Sequence, residues 1–348
     1  MKLAASQHEP NGGPLAVNDI VQQTPNMVAV VDCGYGSVKA TSNQYSGTIV
    51  FPAGASPADQ ALGDLDAEPP TTPLFIDGKP WRAGFETAGV PAYDRPIHQN
   101  YATTDHYRAL LMEALHRIDQ TKIDLLVLGL PTDLYLHDQG QIEHLKAFKG
   151  EHVVYGRSIT VEDVVVCNQP LGSATAFARR RGRIGVIDIG YRTTDTTVLV
   201  DGRVDPSGHS TCPTAARDIC EAVARSFQEQ TNIEISADMV DQQFRTDLMT
   251  IERRLISYDL RPHLDNVAPD LAKIIWSSIQ TTLRLSLGLV DQFLLTGGGA
   301  HLLRKPLEKL AGDVPVTMPP NPATANIEGY LQLGQSLLRK RAEDRRHG

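Results

Sequence analysis

Cysteine is scarce and unpatterned in this chain. Cys33, Cys167, Cys212 and Cys220 show neither Cys-x-x-Cys nor Cys/His spacing, which argues against a disulfide framework or a zinc site and fits a reducing, cytoplasmic setting. Long apolar runs are missing as well. The longest, Ile123–Leu130, contains Asp124 and falls well short of the roughly 20 residues a membrane-spanning helix needs. Residues 1–26 carry one Lys and no apolar segment of signal-peptide length, so they read as a loose, disordered tail rather than a leader. There is no surplus of positive charge: 33 Lys+Arg stand against 41 Asp+Glu, a net charge of −8. Direct sequence-specific DNA binding is therefore not expected, since it calls for a basic field or stripe. No Gly-x-x-x-x-Gly-Lys-Ser/Thr loop, His-Glu-x-x-His pair or Gly-x-Ser-x-Gly elbow occurs, which sets aside the nucleotidases, metalloproteases and hydrolases built on them.

What is present is the composition of an ordinary globular protein, 41% hydrophobic and 21% charged over 348 residues, enough for about two domains. The residue pattern alternates strands and helices. An apolar run from Met27 to Val31 ends in Asp32, a Gly-rich turn follows, and Ser37–Ser42 returns as a strand. Residues 46–100 are rich in Pro and Gly and predict short strands and loops, a small inserted subdomain. Helical spacing over 103–117 leads to a buried strand at Leu125–Leu130; a helix over 139–149 leads to strands at 152–155 and 158–167. Asn168 caps an expected helix over 171–181. A second apolar strand, Ile184–Ile189, also contains an aspartate near its end and returns over 195–200. Beyond Pro213 the pattern is mostly helical, including part of 239–260, until strand Gln292–Thr296, the triplet Gly297–Gly299 and helices over 302–311 and 325–342.

The most informative feature is a long-range repeat. VAVVDCGYGSVK at 28–39 and IGVIDIGYRTTD at 184–195 each read as buried strand, Asp, one residue, Gly-Tyr and return strand. A turn of this kind ends an apolar strand with a carboxylate and presents backbone N–H groups suited to phosphate. Two such hairpins, facing each other, could hold a triphosphate and its Mg²⁺ between them. Lys39 sits on the first return strand, either reaching phosphate oxygens as a point charge or solvated there. Gln169, at a helix start between the hairpins, is placed to orient a water, or is simply a polar first-turn residue. Gly297–Gly299 follow an apolar strand, where missing side chains let a ring or phosphate approach the backbone or merely permit a tight turn.

In order, DCGYGSVK, CNQPLGSATA, DIGYRTTD, LLTGGGA and ANIEGYLQLG resemble the phosphate 1, connect 1, phosphate 2, adenosine and connect 2 motifs of the actin, sugar-kinase and heat-shock ATPase superfamily. Within it, LVLGLPTDLY and VVYGRSITVEDVVVCNQP resemble the bacterial ParM/StbA plasmid-segregation ATPases. The resemblance spans roughly residues 27–340. It implies an α/β, actin-like two-lobed fold, two related ribonuclease-H-like domains around a nucleotide cleft. Domain I would comprise 27–182 plus 318–342, domain II 183–317 with a helical insert at about 230–262, and 343–348 a basic tail. ATP, or GTP, with Mg²⁺ would occupy the cleft. Asp32 and Asp188 would hold the Mg²⁺, largely through its waters. Gly34, Tyr35, Gly36 and Lys39 would line one side of the phosphates, and Gly190, Tyr191, Arg192, Thr193, Thr194 and Asp195 the other. Gly297, Gly298 and Gly299 would flank the adenosine. Gln169 stands where relatives often carry glutamate; being neutral it can position water but not act as a base, so slow hydrolysis is expected. Arg192 departs from the small residues of many relatives, and either contacts phosphate or is solvated.

The function these features imply is that of a filament-forming ATPase which assembles with itself and moves plasmid DNA through a small DNA-binding adaptor, with no membrane association. Two other readings share the fold: a kinase of a small metabolite, for which no acceptor-activating aspartate can be nominated, and a scaffold filament that uses nucleotide only as a switch. A chaperone-type ATPase would need a further peptide-binding domain.

Overall fold

The computed structural model describes residues 26–58, 73–86, 100–178 and 181–347, with only the backbone at 285–287 and 347. The expected tail 1–26, apart from Asn26, and much of the 46–100 insert lie outside the described residues.

The first lobe is built on strands β1 (Val28–Cys33), β2 (Ser37–Ser42) and β3 (Ile49–Pro52). Three short strands follow, β4 (Gly54–Pro57), β5 (Leu74–Ile76) and β6 (Lys79–Phe85), forming a separate small sheet in the order β4-β6-β5. That sheet packs on helix α1 (Asp105–Ile118). The Thr104 side chain accepts the Tyr107 N–H at the start of α1, and Asp119 closes the helix in the left-handed region at φ 60°. Next come β7 (Lys122–Ile123), β8 (Leu125–Leu130), α2 (Thr132–His137), α3 (Gln139–Lys146), β9 (Gly150–Val154), β10 (Arg157–Val161) and β11 (Val164–Asn168). The main sheet has the order β11-β8-β1-β2-β3, while β7-β10-β9 form a side sheet. Every residue of β1 and β8 is buried, as expected of central strands covered on both faces. The single strand expected over 158–167 is in fact two: the chain leaves β10 at the charged pair Glu162-Asp163 and enters a different sheet as β11.

After α4 (Gln169–Phe177) the second lobe repeats the plan. Its strands are β12 (Arg183–Ile189), β13 (Thr194–Val200) and β14 (Arg203–Cys212), followed by α5 (Ala216–Thr231) and α6 (Ala237–Arg245). A two-stranded hairpin, β15 (Thr250–Arg253) and β16 (Ile256–Asp259), precedes the long α7 (Arg261–Leu287). The helical insert expected at about 230–262 is therefore only partly helical, because 250–259 pairs with itself as strands. Strand β17 (Gln292–Thr296), α8 (Ala300–Ala311) and β18 (Val316–Thr317) complete the lobe, and α9 (Ala325–His347) ends the described chain. The stretch 343–347, expected as a tail, continues α9.

The second sheet runs β14-β13-β12-β17-β18. Both sheets pair antiparallel, antiparallel, parallel, parallel from their β3 or β14 edge. The two lobes thus share one topology, and the sequence repeat is the repeat of its first hairpin. Helices α4 and α9 form the layer between them. Although α4 follows the first lobe, Leu171, Ala174 and Phe177 pack on Ile184, Val186, Leu199 and Leu294 of the second. Conversely, Ile327 and Tyr330 of α9 pack on Val28, Val30, Leu125 and Val127 of the first.

Candidate functional site

Both hairpins point into one cleft. In β1–β2, Asp32 is opposite Lys39; in β12–β13, Asp188 is opposite Asp195. The turns, Gly34–Gly36 and Gly190–Thr193, meet: a Cβ on Gly36 would lie 3.2 Å from the Tyr191 ring. Between the lobes is a cavity of about 690 Å³. Of the residues expected at the site, Asp32, Gly34, Tyr35, Gly36, Lys39, Gln169, Asp188, Gly190, Tyr191, Arg192, Thr193, Asp195, Gly297 and Gly298 line it. Thr194 and Gly299 are not part of its wall. The Thr194 hydroxyl faces away and donates to the Thr214 carbonyl at 2.8 Å. Gly299 packs beneath the cleft, where a Cβ would meet Ile189 Cγ2 at 2.5 Å.

The carboxylates are held by side chains from distant segments. Gln169, the first residue of α4, donates from Nε2 to Asp32 Oδ1 at 2.8 Å. Asn326 of α9 donates from Nδ2 to Asp188 Oδ2 at 2.7 Å. Asp188 is buried, and that burial, reinforced by the charges of Asp32 and Asp195, pushes its carboxyl up to about 7 against the pull of Asn326 and Lys39. Asp195 is also buried and raised by burial, opposed by the hydroxyls of Thr211 at 2.6 Å and Thr193 at 2.9 Å and by the backbone N–H of Thr132. That last donor opens α2 of the other lobe, where the helix dipole favours a negative group. Asp32, Asp188 and Asp195 thus line one cavity with Lys39, and the charges of Asp32 and Asp195 both act on Asp188.

Lys39 Nζ lies over Gly34, 3.5 Å from where a Cβ would stand. Gly297 has φ +89°, and a Cβ there would come within 2.3 Å of both Asp188 Oδ1 and the Ile189 carbonyl oxygen. Only glycine lets this turn pass so close to the carboxylate. Arg192 is half-buried and held by the other hairpin: its Nη1 donates to the Tyr35 hydroxyl at 2.8 Å, and Tyr35 stacks on Tyr101 with ring centroids 4.3 Å apart. Asn168 starts α4 without capping it, because its Oδ1 accepts the Thr132 hydroxyl instead.

Several participants were not evident from sequence. Asn326 and Thr132 lie within ANIEGYLQLG and LVLGLPTDLY, but nothing there singles them out, and Tyr101 lies in no quoted segment; Asn326 reaches Asp188 only because α9 crosses α4. The one available signal was its place at the start of ANIEGY. Arg245 and Asp241 of α6 also line the cavity, and no local pattern in the sequence marks them.

Two lobes of one topology, each sending a carboxylate-bearing hairpin into a shared cleft, define the actin-like class of fold. Residues 30–172 match the family described as actin-like proteins, N-terminal domain, and residues 186–309 that described as archaeal actin homologue MreB-like, C-terminal. The chain belongs to the actin-like proteins. Among curated proteins no sequence matches it. Among solved structures it is similar to the archaeal actin homologue Ta0583 in complex with ADP, at a TM-score of 0.71 and 19% identity over 89% of this chain and 99% of that one. A non-polymerisable quadruple mutant of pCBH ParM superposes at 0.68 with 19% identity over 89% and 99%. A 15-stranded ParM filament from Clostridium botulinum does so at 0.67 with 18% identity over 90% and 100%. At these identities the likeness is one of fold. No described helix is long and apolar enough to cross a membrane.

Proposed function

We propose that this protein is a nucleotide-dependent, self-assembling ATPase whose filaments move plasmid DNA through a DNA-binding adaptor. The observation that carries the nucleotide reading is the convergence of Asp32 and Asp188, one from each lobe, on a cavity flanked by two glycine turns. Glycines 34, 36 and 190 leave the turn backbones open to phosphate. The donor set fits Mg²⁺: Asp188, raised chiefly by burial and further by the charges of Asp32 and Asp195, would regain its ionised form beside a cation. Among the described residues no three His, Cys, Asp or Glu side chains group tightly enough to ligate an ion directly. Mg²⁺ keeps several waters and is bound through one or two carboxylates. Asp32 and Asp188 would hold that water shell, and the bound ion would neutralise phosphate charge. Lys39 supplies the protein's own positive charge to the phosphates. Gln169, anchored through Asp32, orients the attacking water without removing its proton, which makes turnover slow.

Self-assembly is supported by the filament-forming ParM proteins among the structures of this fold, and the DNA role by the same resemblance. The acidic balance of the chain favours an adaptor over direct DNA contact. The test is sedimentation and light scattering of the purified protein with ATP and Mg²⁺. Pelletable polymer that needs both is expected; no polymer at micromolar protein would refute the filament reading.

A further inference from the structure

The cleft is also spanned by charged groups that the nucleotide reading does not use. Arg245, the last residue of α6, is in the second lobe; Glu86 follows β6, the central strand of the first lobe's small sheet. Arg245 Nη2 donates to Glu86 Oε1 at 3.0 Å and to Oε2 at 2.9 Å, and its Nε donates to Asp241 Oδ2 at 3.0 Å. The guanidinium therefore uses Nε within its own helix and Nη2 across the cleft, a fixed division between two nitrogens that a lysine ammonium on the same stem could not reproduce.

The two halves of this bridge are not equivalent. Asp241 is buried, its side chain 6% exposed, and its contact to Arg245 is an i,i+4 pair within α6. Relative motion of the lobes leaves that contact intact. The Glu86 contact joins the lobes and must break when they separate. Both of its side chains are largely shielded, 23% exposed for Arg245 and 28% for Glu86, so the pair is screened less than a fully solvated one. Arg245 and Asp241 line the cavity, whereas Glu86 is not part of its described wall.

From this geometry we infer that the Glu86–Arg245 pair is a latch across the mouth of the cleft, setting how fast bound nucleotide leaves, with Arg245 held ready by Asp241. The inference rests on the reading of the cavity as a nucleotide site. Glu86→Gln removes the crossing charge while leaving the buried Asp241 its partner, and Arg245→Lys keeps a positive charge beside Asp241 but cannot span both carboxylates. The experiment is stopped-flow release of fluorescently labelled ADP, with Mg²⁺, from the wild-type chain and both variants over a range of NaCl. Release from Glu86→Gln should be about fivefold faster, the loss of one partly shielded pair. Wild-type release should quicken as salt rises, while Glu86→Gln responds little. Arg245→Lys should behave like Glu86→Gln, and it stands in should that variant fail to fold. Equal release rates with parallel salt dependence would overturn the latch while leaving the nucleotide site standing. Failure of the wild-type chain to bind labelled ADP would overturn the site, and the latch with it.

Discussion

Gly329 of α9 lies so close to Gly172 of α4 that a Cβ on Gly329 would sit 1.7 Å from the Gly172 carbonyl oxygen. The reciprocal Cβ, on Gly172, would strike the Asn326 carbonyl oxygen at 2.5 Å. Helix α4 packs on the second lobe and α9 on the first, so this crossing joins the two lobes. It also brings Gln169 and Asn326, one per helix, to Asp32 and Asp188.

Gly329→Ala should therefore be among the most damaging single-methyl additions in the chain. The clash is with backbone, which no rotamer change relieves, so the helices must part. A loss of about 3 kcal/mol is expected, the upper part of the usual overpacking range. Denaturant unfolding of the variant beside wild type measures it; a midpoint within error of wild type would mean that the crossing is looser than described.

Asp188 makes stability depend on pH in an identifiable direction. Its carboxyl is pushed up to about 7 in the fold from an ordinary 3.8. Between those values the folded state binds more protons than the unfolded one. Its contribution is fully present below the ordinary value and is lost as pH rises through about 7. Asp188→Asn keeps a group that can accept the Asn326 amide and removes the titration. The ligand-free variant should match wild type near about pH 4 and gain on it toward about pH 8, by at most about 4 kcal/mol. Thermal melts of both proteins across that range test the sign, and parallel profiles would show that Asp188 titrates normally. The same variant should lose Mg²⁺-dependent turnover.

Gln169 links the first hairpin to α4 through Asp32. Under the proposed function, Gln169→Ala leaves nucleotide a site but frees the attacking water. Hydrolysis should fall about a hundredfold, the scale of misplacing a reactant, while ATP-dependent polymer still forms and outlives the wild-type polymer. Phosphate release and light scattering on one sample separate the two effects. A parallel loss of assembly and hydrolysis would assign Gln169 to closing the lobes instead.

Much of the architecture was legible in the residues themselves. The strand-Asp-x-Gly-Tyr repeat stood out because both β1 and β12 are buried on two faces and so read as unbroken apolar runs. What stayed hidden had weaker local signals. Strands β15 and β16 each have four residues, most of them exposed, so no alternation distinguishes them from the helices around them. The break between β10 and β11 rests on two acidic residues within an otherwise strand-like run. Asn326 and Arg245 act through contacts that exist only once helices cross or lobes face each other. The Arg192 side chain could be assigned only when the two turns were seen to meet, since its acceptor is the Tyr35 hydroxyl of the other hairpin.

The glycine triplet, which in sequence read as one unit, separates into three roles, and substitution should tell them apart. Gly297→Ala forces a side chain into a left-handed turn and against Asp188, so it should disturb both stability and the carboxylate. Gly299→Ala collides with Ile189 and should cost stability alone, since Gly299 is not part of the cavity wall. Gly298 lines the cavity, yet a Cβ there would meet nothing within 4 Å and its φ is outside the left-handed range. Gly298→Ala should therefore change stability by no more than about 0.5 kcal/mol. If the nucleotide lies against this turn, the added methyl intrudes on it, and affinity for labelled ADP should drop by about tenfold, on the order of 1.4 kcal/mol. Unchanged affinity in a variant of unchanged stability would move the nucleotide away from the triplet.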